Sequence, residues 1–538
     1  MSAIITPTFR RNSVSDFQAG VDLGTNNYYI GIGRLIPWDN NPGAQGQDPI
    51  GEESSLFVEP LPQVTLNEEK DVRDELMTLV KVDPTEVKAM IPKNQWASTR
   101  KYKRYDPTDP LTFEYEGEIY PCVAVNNNRI YLCVANGAQN LAAGLNGTPA
   151  DSLRAPDHDN ITFQNNGVGG QDANRVGLPD DNGYMWAYLG DLSSSGNLDN
   201  DQFVGVPDVL IDSAGNANRA TAAEQATGGL VYGFKVIEGG NSLNLTGANA
   251  VDLVLEGVGK DGTAKTNVDI IIDGQVQSPF VVNGLTTGNV INEVKYVGSL
   301  RTAPLGFAKA SVCAYTNKND HTTKLDNVKI IPLIAPIEGF GYDVRTTSPS
   351  HYVGLYTRFA EGVDGEALTD VAYRQISIIK NPQRRDDSPR YTLNDDVEND
   401  ELTMQYENEA ALDCLNYIQV KPEVTLSDRT AGTIMTQLDV NSAPKARASI
   451  VHVDVGNGKI YFQQSDYHTG NFLPFNAAEV ISIPNVGGEP SIIQAGQISE
   501  VVDSEYIHDT GEVLFVDNRK RINRNADQIE DLRIIIQF

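Results

Sequence analysis

The feature that most constrains this chain is its punctuation. Short runs rich in Val, Ile and Tyr alternate with Asn-Gly, Asp-Gly and Asn-Asn steps, against a background of 47 Gly and 27 Pro in 538 residues. Such steps supply the positive-φ residues that tight hairpins need, so the sequence reads as many short strands joined by turns. The clearest candidates are Tyr28–Gly33, Ile119–Val125 followed across Asn126-Asn127-Asn128 by Arg129–Val134, Val268–Asp273, Arg374–Lys380, Lys459–Gln463 and Leu532–Phe538. No helical pattern alternates with these strands, which argues against a doubly wound parallel sheet. The expected class is mainly β, β-sandwich-like, with a few short helices near the N-terminus.

Two helices are expected there. The first runs from about Glu68 to Val80, with Asn67 as N-cap and Val72, Leu76, Leu79 and Val80 on one face. The second starts at Asp83-Pro84-Thr85-Glu86, a capping box with Pro at the first helical position, and ends at Pro92.

At roughly one domain per ~150 residues, the length suggests three or four packed units. Composition marks insertions: residues 136–183 are rich in Asn, Asp and Gly and read as long loops, residues 231–337 as an inserted β domain, and residues 395–505 as a second such unit. With 42 Lys+Arg against 72 Asp+Glu, the net charge of −30 repels polyphosphate and anionic lipid, so proteins are the expected partners and nucleic acid is not. A chain that is 40% apolar and only 21% charged can bury enough surface to fold. The N-terminus lacks the basic and apolar regions of a signal peptide. The longest apolar run, Ile330–Ile337, is interrupted by Pro332 and Pro336 and is far short of the ~20 residues a membrane span needs, so no membrane insertion is expected. Four cysteines without a Cys-x-x-Cys pair make no disulfide framework and point to a reducing compartment. Cys122 and Cys133 face each other, both reduced, if Asn127-Asn128 is the turn.

Motifs for chemistry are few. Gly20-Val21-Asp22-Leu23-Gly24-Thr25-Asn26-Asn27 resembles the first phosphate loop of actin-like ATPases, with Asp454–Gly458 and Gly487-Gly488 in the order of the later loops. However, residues 12–19 are too polar for the strand that must precede it. Gly257-x-Gly259-x-x-Gly262 fits the dinucleotide fingerprint, but no helix follows, so a hairpin loop is expected. His452-Val453-Asp454 is a weak metal pair, and Asp199-Asn200-Asp201 lacks the Gly and Glu of a calcium loop. No nucleophile motif is present. No cofactor, metal or catalytic residue is expected, and the chain is not read as an enzyme.

The remaining landmarks are aromatic and proline blocks. They comprise Ile4–Arg11; Tyr29–Arg34 (with Gly33 and Arg34) through Pro37-Trp38; Met77–Val82 through Ala89–Pro92, then Trp96 and Thr99-Arg100; Gly183-Tyr184-Met185-Trp186-Ala187-Tyr188-Leu189; Arg374–Ile379 (with Gln375), then Asn381-Pro382; and Gly511–Arg519, which includes Asn518 and Arg519. In this order they resemble the baseplate wedge proteins of T4-like contractile-tailed bacteriophages: an opening strand with Gly-Arg-x-x-Pro-Trp, a helix-turn-helix segment closing on Ile-Pro-x-x-x-Trp, and a Gly-Tyr-x-Trp-x-Tyr-Leu block. The blocks cover about a third of the chain and hold all three tryptophans. Their residues are expected to pack the scaffold.

The resemblance implies a discontinuous core, at 1–110, 338–394 and 506–538, carrying an inserted domain, the loop-rich β segment 111–230; the β insertions at 231–337 and 395–505 depart from the family and make this chain much longer. It implies a homodimer in the virion tail, made in the host cytoplasm. This subunit would bind other wedge proteins and tail fibre components, support baseplate assembly and take part in the rearrangement that triggers contraction. A receptor- or glycan-binding tail protein and an actin-like ATPase are the alternatives.

Overall fold

The computed structural model describes residues 6–22, 26–38, 58–63, 65–107, 112–115, 118–136, 151–156, 183–192, 198–206, 231–244, 251–259, 264–270, 280–283, 291, 293–296, 307–317, 320–336, 340, 344–359, 371–385, 411–426, 431–465, 473–484, 490–524 and 528–538. The fold is mainly β and its strand pairs are antiparallel almost throughout, as the turn-rich sequence implies. No helix among the described residues is long and apolar enough to cross a membrane. The chain divides into two compact units, one of Met1–Asp16, Lys88–Gly354 and Ile535–Phe538, the other of Phe17–Val87 and Leu355–Ile534.

The second unit is built on a five-stranded sheet in the order Ala411–Asp413, Leu76–Lys81, Tyr28–Gly33, Tyr373–Lys380, Glu512–Ile522. Its inner strands are near-continuous buried runs, the pattern of strands covered on both faces. The helix Leu66–Asp74 docks Val72 onto Leu76, Leu79, Ile379 and Leu412. A second, seven-stranded sheet runs Ser491–Ile493, Val480–Ile483, Ile434–Leu438, Pro444–Asp454, Lys459–Gln463, Asn416–Val420, Ile498–Val502. Its two edge strands are consecutive in the chain, joined by the short link Gln494–Gln497, which holds their adjoining ends within its reach. Ile418, Met435, Ile450, Ile460, Phe462 and Ile481 fill the interior.

In the first unit Val123–Asn126, Arg129–Asn136 and Tyr184–Asp191 form a three-stranded sheet. Asn127 and Asn128 (φ 49° and 56°) are its two-residue turn, and the Cys133 N–H donates to the Cys122 carbonyl, so the two buried cysteines lie opposite each other as expected. Ala264–Ile270, Asp252–Gly259, Phe307–Asn317 and Asp320–Lys324 make a four-stranded sheet. Tyr232, from the strand Val231–Gly239, packs on Tyr105 and Phe340 and donates its hydroxyl to the Tyr105 carbonyl at 3.1 Å.

Three local expectations need correction. The expected helix to Val80 stops at Asp74, capped by Thr65 and not Asn67, and Leu76–Lys81 is a strand. Val72, Leu76, Leu79 and Val80 do share a helical face, but the run from Leu76 to Val80 is buried throughout, and inserting it between Tyr28–Gly33 and Ala411–Asp413 covers both sides. Asp83 caps as expected, its carboxylate accepting from the Thr85 N–H at 2.8 Å, yet it starts one 3-10 turn, Pro84–Glu86, before the strand Val87–Pro92. The segment compared with a helix-turn-helix is therefore helix, strand, turn and strand. Finally, Pro7–Asp22 is a helix, so the opening strand is Tyr28–Gly33 alone.

Candidate structural site: two clusters of motif residues

The motif residues separate into two groups, one in each unit. In the second unit Gly33, Gln375 and Asn518 lie in one row across three paired strands. Gly33 must lack a side chain, because a Cβ there would stand 2.7 Å from the Glu75 carbonyl oxygen. Arg34 follows with φ 60° and donates its backbone N–H to that same carbonyl at 3.0 Å. The Arg34 guanidinium returns to the Glu75 carboxylate at 2.9 and 3.2 Å, with both side chains nearly excluded from solvent. Against that guanidinium lies the Trp38 ring, 3.8 Å from centroid to carbon, a cation–π contact. The chain reaches Trp38 through Leu35, Ile36 and Pro37, all buried. Trp38 then donates its indole N–H to the Arg519 carbonyl at 2.8 Å, while the Arg519 side chain pairs with Asp517.

The Gln375 amide donates to Asn518 Oδ1 at 2.9 Å, and Asn518 donates to the Pro60 carbonyl at 2.9 Å. Arg374, fully buried, donates to the Leu35 carbonyl. Gln463 donates to the Glu75 and Leu76 carbonyls at 2.6 and 3.0 Å, tying the seven-stranded sheet to this point. Asn381 (φ 51°) ends the strand Tyr373–Lys380: its N–H donates to the Asn27 carbonyl and its Oδ1 accepts the Asn27 N–H, each at 2.8 Å. Pro382 lies against Gly511, whose Cβ would fall 3.1 Å from the proline Cα. The cavity between Leu35, Ile36, Glu75, Ser449, Gln463 and Ser465 is about 10 Å³, far too small for a cofactor.

In the first unit Tyr184, Trp186 and Tyr188 alternate along one strand, so the period of two puts them on one face. Gly183 (φ 81°) turns the chain into that strand. Tyr102 meets Trp186 edge-on at 5.0 Å, Tyr184 stacks on Trp186 at 5.7 Å, and Tyr188 tilts against Tyr131 at 5.9 Å. The Tyr184 hydroxyl accepts the Tyr102 N–H at 3.1 Å. Pro92 ends the strand Val87–Pro92, and Trp96, four residues on, borders this cluster and donates its indole N–H to Ser152 Oγ at 3.0 Å. Burial pushes the Tyr102 phenol up to about 12 and the Cys122 thiol up to about 12, so both stay neutral.

Glu75 and Tyr102, which organise the two clusters, were not singled out by the sequence. Glu75 lies 41 positions from Arg34 and Tyr102 lies 82 from Tyr184, with no local signal linking either pair.

The sites of the weaker motifs are also settled in part. Asp22 ends a helix, not a strand, while residues 23–25 and Gly487-Gly488 lie outside the described residues. Asp454 caps a turn, accepting the Asn457 N–H at 3.0 Å. Gly257 and Gly259 lead into the hairpin of Asp252–Gly259 with Ala264–Ile270, with residues 260–263 outside the described residues. Asp199 and Asn200 accept backbone N–H groups of Gly205, Gln202 and Phe203 within their own loop. Among the described residues no group of three His, Cys, Asp or Glu is placed to hold a metal ion.

No family model matches the chain. Over 138 residues it is 28% identical to the baseplate wedge protein gp8 of Enterobacteria phage T4, a match covering 25% of this chain and 35% of that protein. The chain thus spans about a third of the length of this curated relative, and the relationship is distant.

Proposed function

We propose that the chain is a structural subunit of a contractile phage tail baseplate, a wedge component that joins neighbouring wedge proteins. The observation that carries this reading is the distant likeness to a baseplate wedge protein. The geometry supports it: the motif residues are tied into hydrogen-bonded and aromatic clusters that stiffen the scaffold, as a part that transmits force requires. In this reading the chain acts as a homodimer, contacts tail fibre components, and repacks its protein surfaces when contraction is triggered. It works without a cofactor and without catalysis. The charge of −30 keeps the free subunit soluble and selects partners with basic patches.

The test is immunogold electron microscopy of a phage lysate with antibody against the purified chain. Gold at the ends of contractile tails is the expected result. Unlabelled tails, with epitope access checked on disrupted particles, would overturn the proposal.

A further inference from the structure

The four-stranded sheet of the first unit carries reactive side chains that the wedge reading does not use. Register places Val254 opposite Cys313 and Tyr315 opposite Lys324, so three neighbouring strands bring Glu256, Cys313, Tyr315 and Lys324 to one patch. The Lys324 ammonium donates to the Cys313 sulfur at 3.2 Å and lies 3.8 Å from Glu256 Oε2. The Cys313 thiol donates to that same Glu256 oxygen at 3.2 Å. Tyr315 donates its hydroxyl to the other Glu256 oxygen at 2.6 Å, which holds the carboxyl below its usual range and therefore ionised. His321, bonded to Asp252 at 2.6 Å, stacks on the Tyr315 ring and closes the patch. A lysine ammonium, whose proton is held more tightly by its contacts with Cys313 and Glu256, an oxidisable sulfur and a shared carboxylate thus stand in mutual contact.

Selectivity follows from burial. Cys122, Cys133 and Cys414 are buried, and Cys313 alone of the four cysteines is partly open to solvent. Oxidants reach thiols according to exposure and thiolate character.

We propose that Cys313 and Lys324 form an oxidative modification site, in which a hydroperoxide oxidant joins the two side chains by a sulfur–nitrogen bond. Glu256 takes the thiol proton and the sulfur attacks the peroxide. The O–O bond breaks, giving a sulfenic acid, and the leaving hydroxide takes the thiol proton from Glu256 to become water (from hydrogen peroxide), with sulfur oxidised by two electrons and peroxide reduced by two. Lys324 then loses a proton to a hydroxide ion of the solvent, and the amine so formed attacks the sulfur. The S–N bond forms as the S–O bond breaks, and the hydroxyl leaves as water with the second amine proton. The link staples the strand Phe307–Asn317 to Asp320–Lys324, and a thiol reductant reverses it. The inference stands on this patch and does not depend on the proposed function.

The test treats the full chain with hydrogen peroxide, alkylates the remaining thiols and maps the tryptic peptides by mass spectrometry. A linked peptide joining residues 310–318 to 319–329 is expected, uncleaved after Lys324 and about 2 Da lighter than the sum of its unlinked parts. Dithiothreitol abolishes it. Cys313→Ser and Lys324→Arg each lose it completely, the second while still oxidising at Cys313, and Glu256→Gln slows its appearance. Accumulation of unlinked sulfinic or alkylated Cys313 in the wild-type chain would overturn the proposal, as would a linked peptide that survives in Lys324→Arg.

Discussion

The buried pair of Arg34 and Glu75 offers the sharpest test of the scaffold reading. Their side chains are 9% and 5% exposed, and the guanidinium contacts both the carboxylate and the Trp38 ring. Removing one partner of a buried pair leaves the other charge without compensation, which costs about 3–5 kcal/mol. Glu75→Gln keeps one oxygen acceptor, so the lower end applies, about 3 kcal/mol. Arg34→Met removes the guanidinium and the cation–π contact and leaves the carboxylate stranded, for a loss of about 3–5 kcal/mol. Combining them removes both charges, and the double variant should recover at least about 1.5 kcal/mol relative to the sum of the singles. Because the chain has two units, a single melting midpoint would mix their transitions. Hydrogen exchange read by mass spectrometry avoids this. Amides of Tyr28–Gly33 and Leu76–Lys81 should exchange on the order of a hundredfold faster in Glu75→Gln, with those of Arg129–Asn136 unchanged. Strictly additive effects, or unchanged exchange in the two strands, would refute the idea that this pair fastens the sheet.

The remaining predictions concern separate elements. Trp186→Ala should cost about 3–5 kcal/mol and deprotect amides of Arg129–Asn136 and Tyr184–Asp191 in the same exchange experiment; intact protection there would deny the aromatic cluster its role. At the Asn127-Asn128 turn, Asn128→Val should cost about 1–2 kcal/mol through its φ of 56° while Asn128→Gly is tolerated, measured by exchange across the hairpin. His351 is lowered from 6.5 to about 4 by burial and by Arg11 and Arg10, so the unfolded chain binds this proton more tightly than the folded one. Its contribution is fully present above pH 6.5 and is lost as pH falls toward 4, at most about 2 kcal/mol after allowance for solvent screening. Hydrogen-exchange protection of the first unit in wild type and His351→Gln across that window should therefore converge in acid; parallel curves would remove His351 as the source.

How much of this was legible in the sequence depended on how local the determining physics is. The hairpin at Asn127-Asn128 needs only two residues with positive φ, and the strands Lys459–Gln463 and Tyr28–Gly33 declare themselves by their apolar runs. The period-two block of Tyr184, Trp186 and Tyr188 likewise reads as one face. Leu76–Lys81 misled because its apolar positions continue the face of the preceding helix, and only the flanking strands, one of them more than 300 residues away, decide between the two readings. The helix Pro7–Asp22 did leave a signal, since Val14, Gln18 and Val21 fall at helical spacing and are all buried, but the polar stretch around them hid it. Glu75 could not be found this way at all, because its partner Arg34 is fixed by sheet pairing and not by sequence distance.

The placement of the motif residues bears directly on the proposed wedge role. Arg34, Gln375, Asn518, Tyr184 and Trp186 each bond or stack within their own unit, and Trp38 and Trp96 direct their indole N–H groups to Arg519 and Ser152. Groups committed in this way contribute to holding the scaffold rather than to selecting a partner. Recognition must then rest on the solvent-facing surface, where the net charge of −30 acts over a screening length of about 8 Å at physiological salt. Association with a basic partner should weaken as salt rises, chiefly through a slower on-rate, in variants that keep every motif residue. Substitutions in the two clusters should instead lower stability and binding together. A cluster variant that folds with native exchange protection yet fails to join its partner would show that the motifs form an interface, and would reverse the assignment made here.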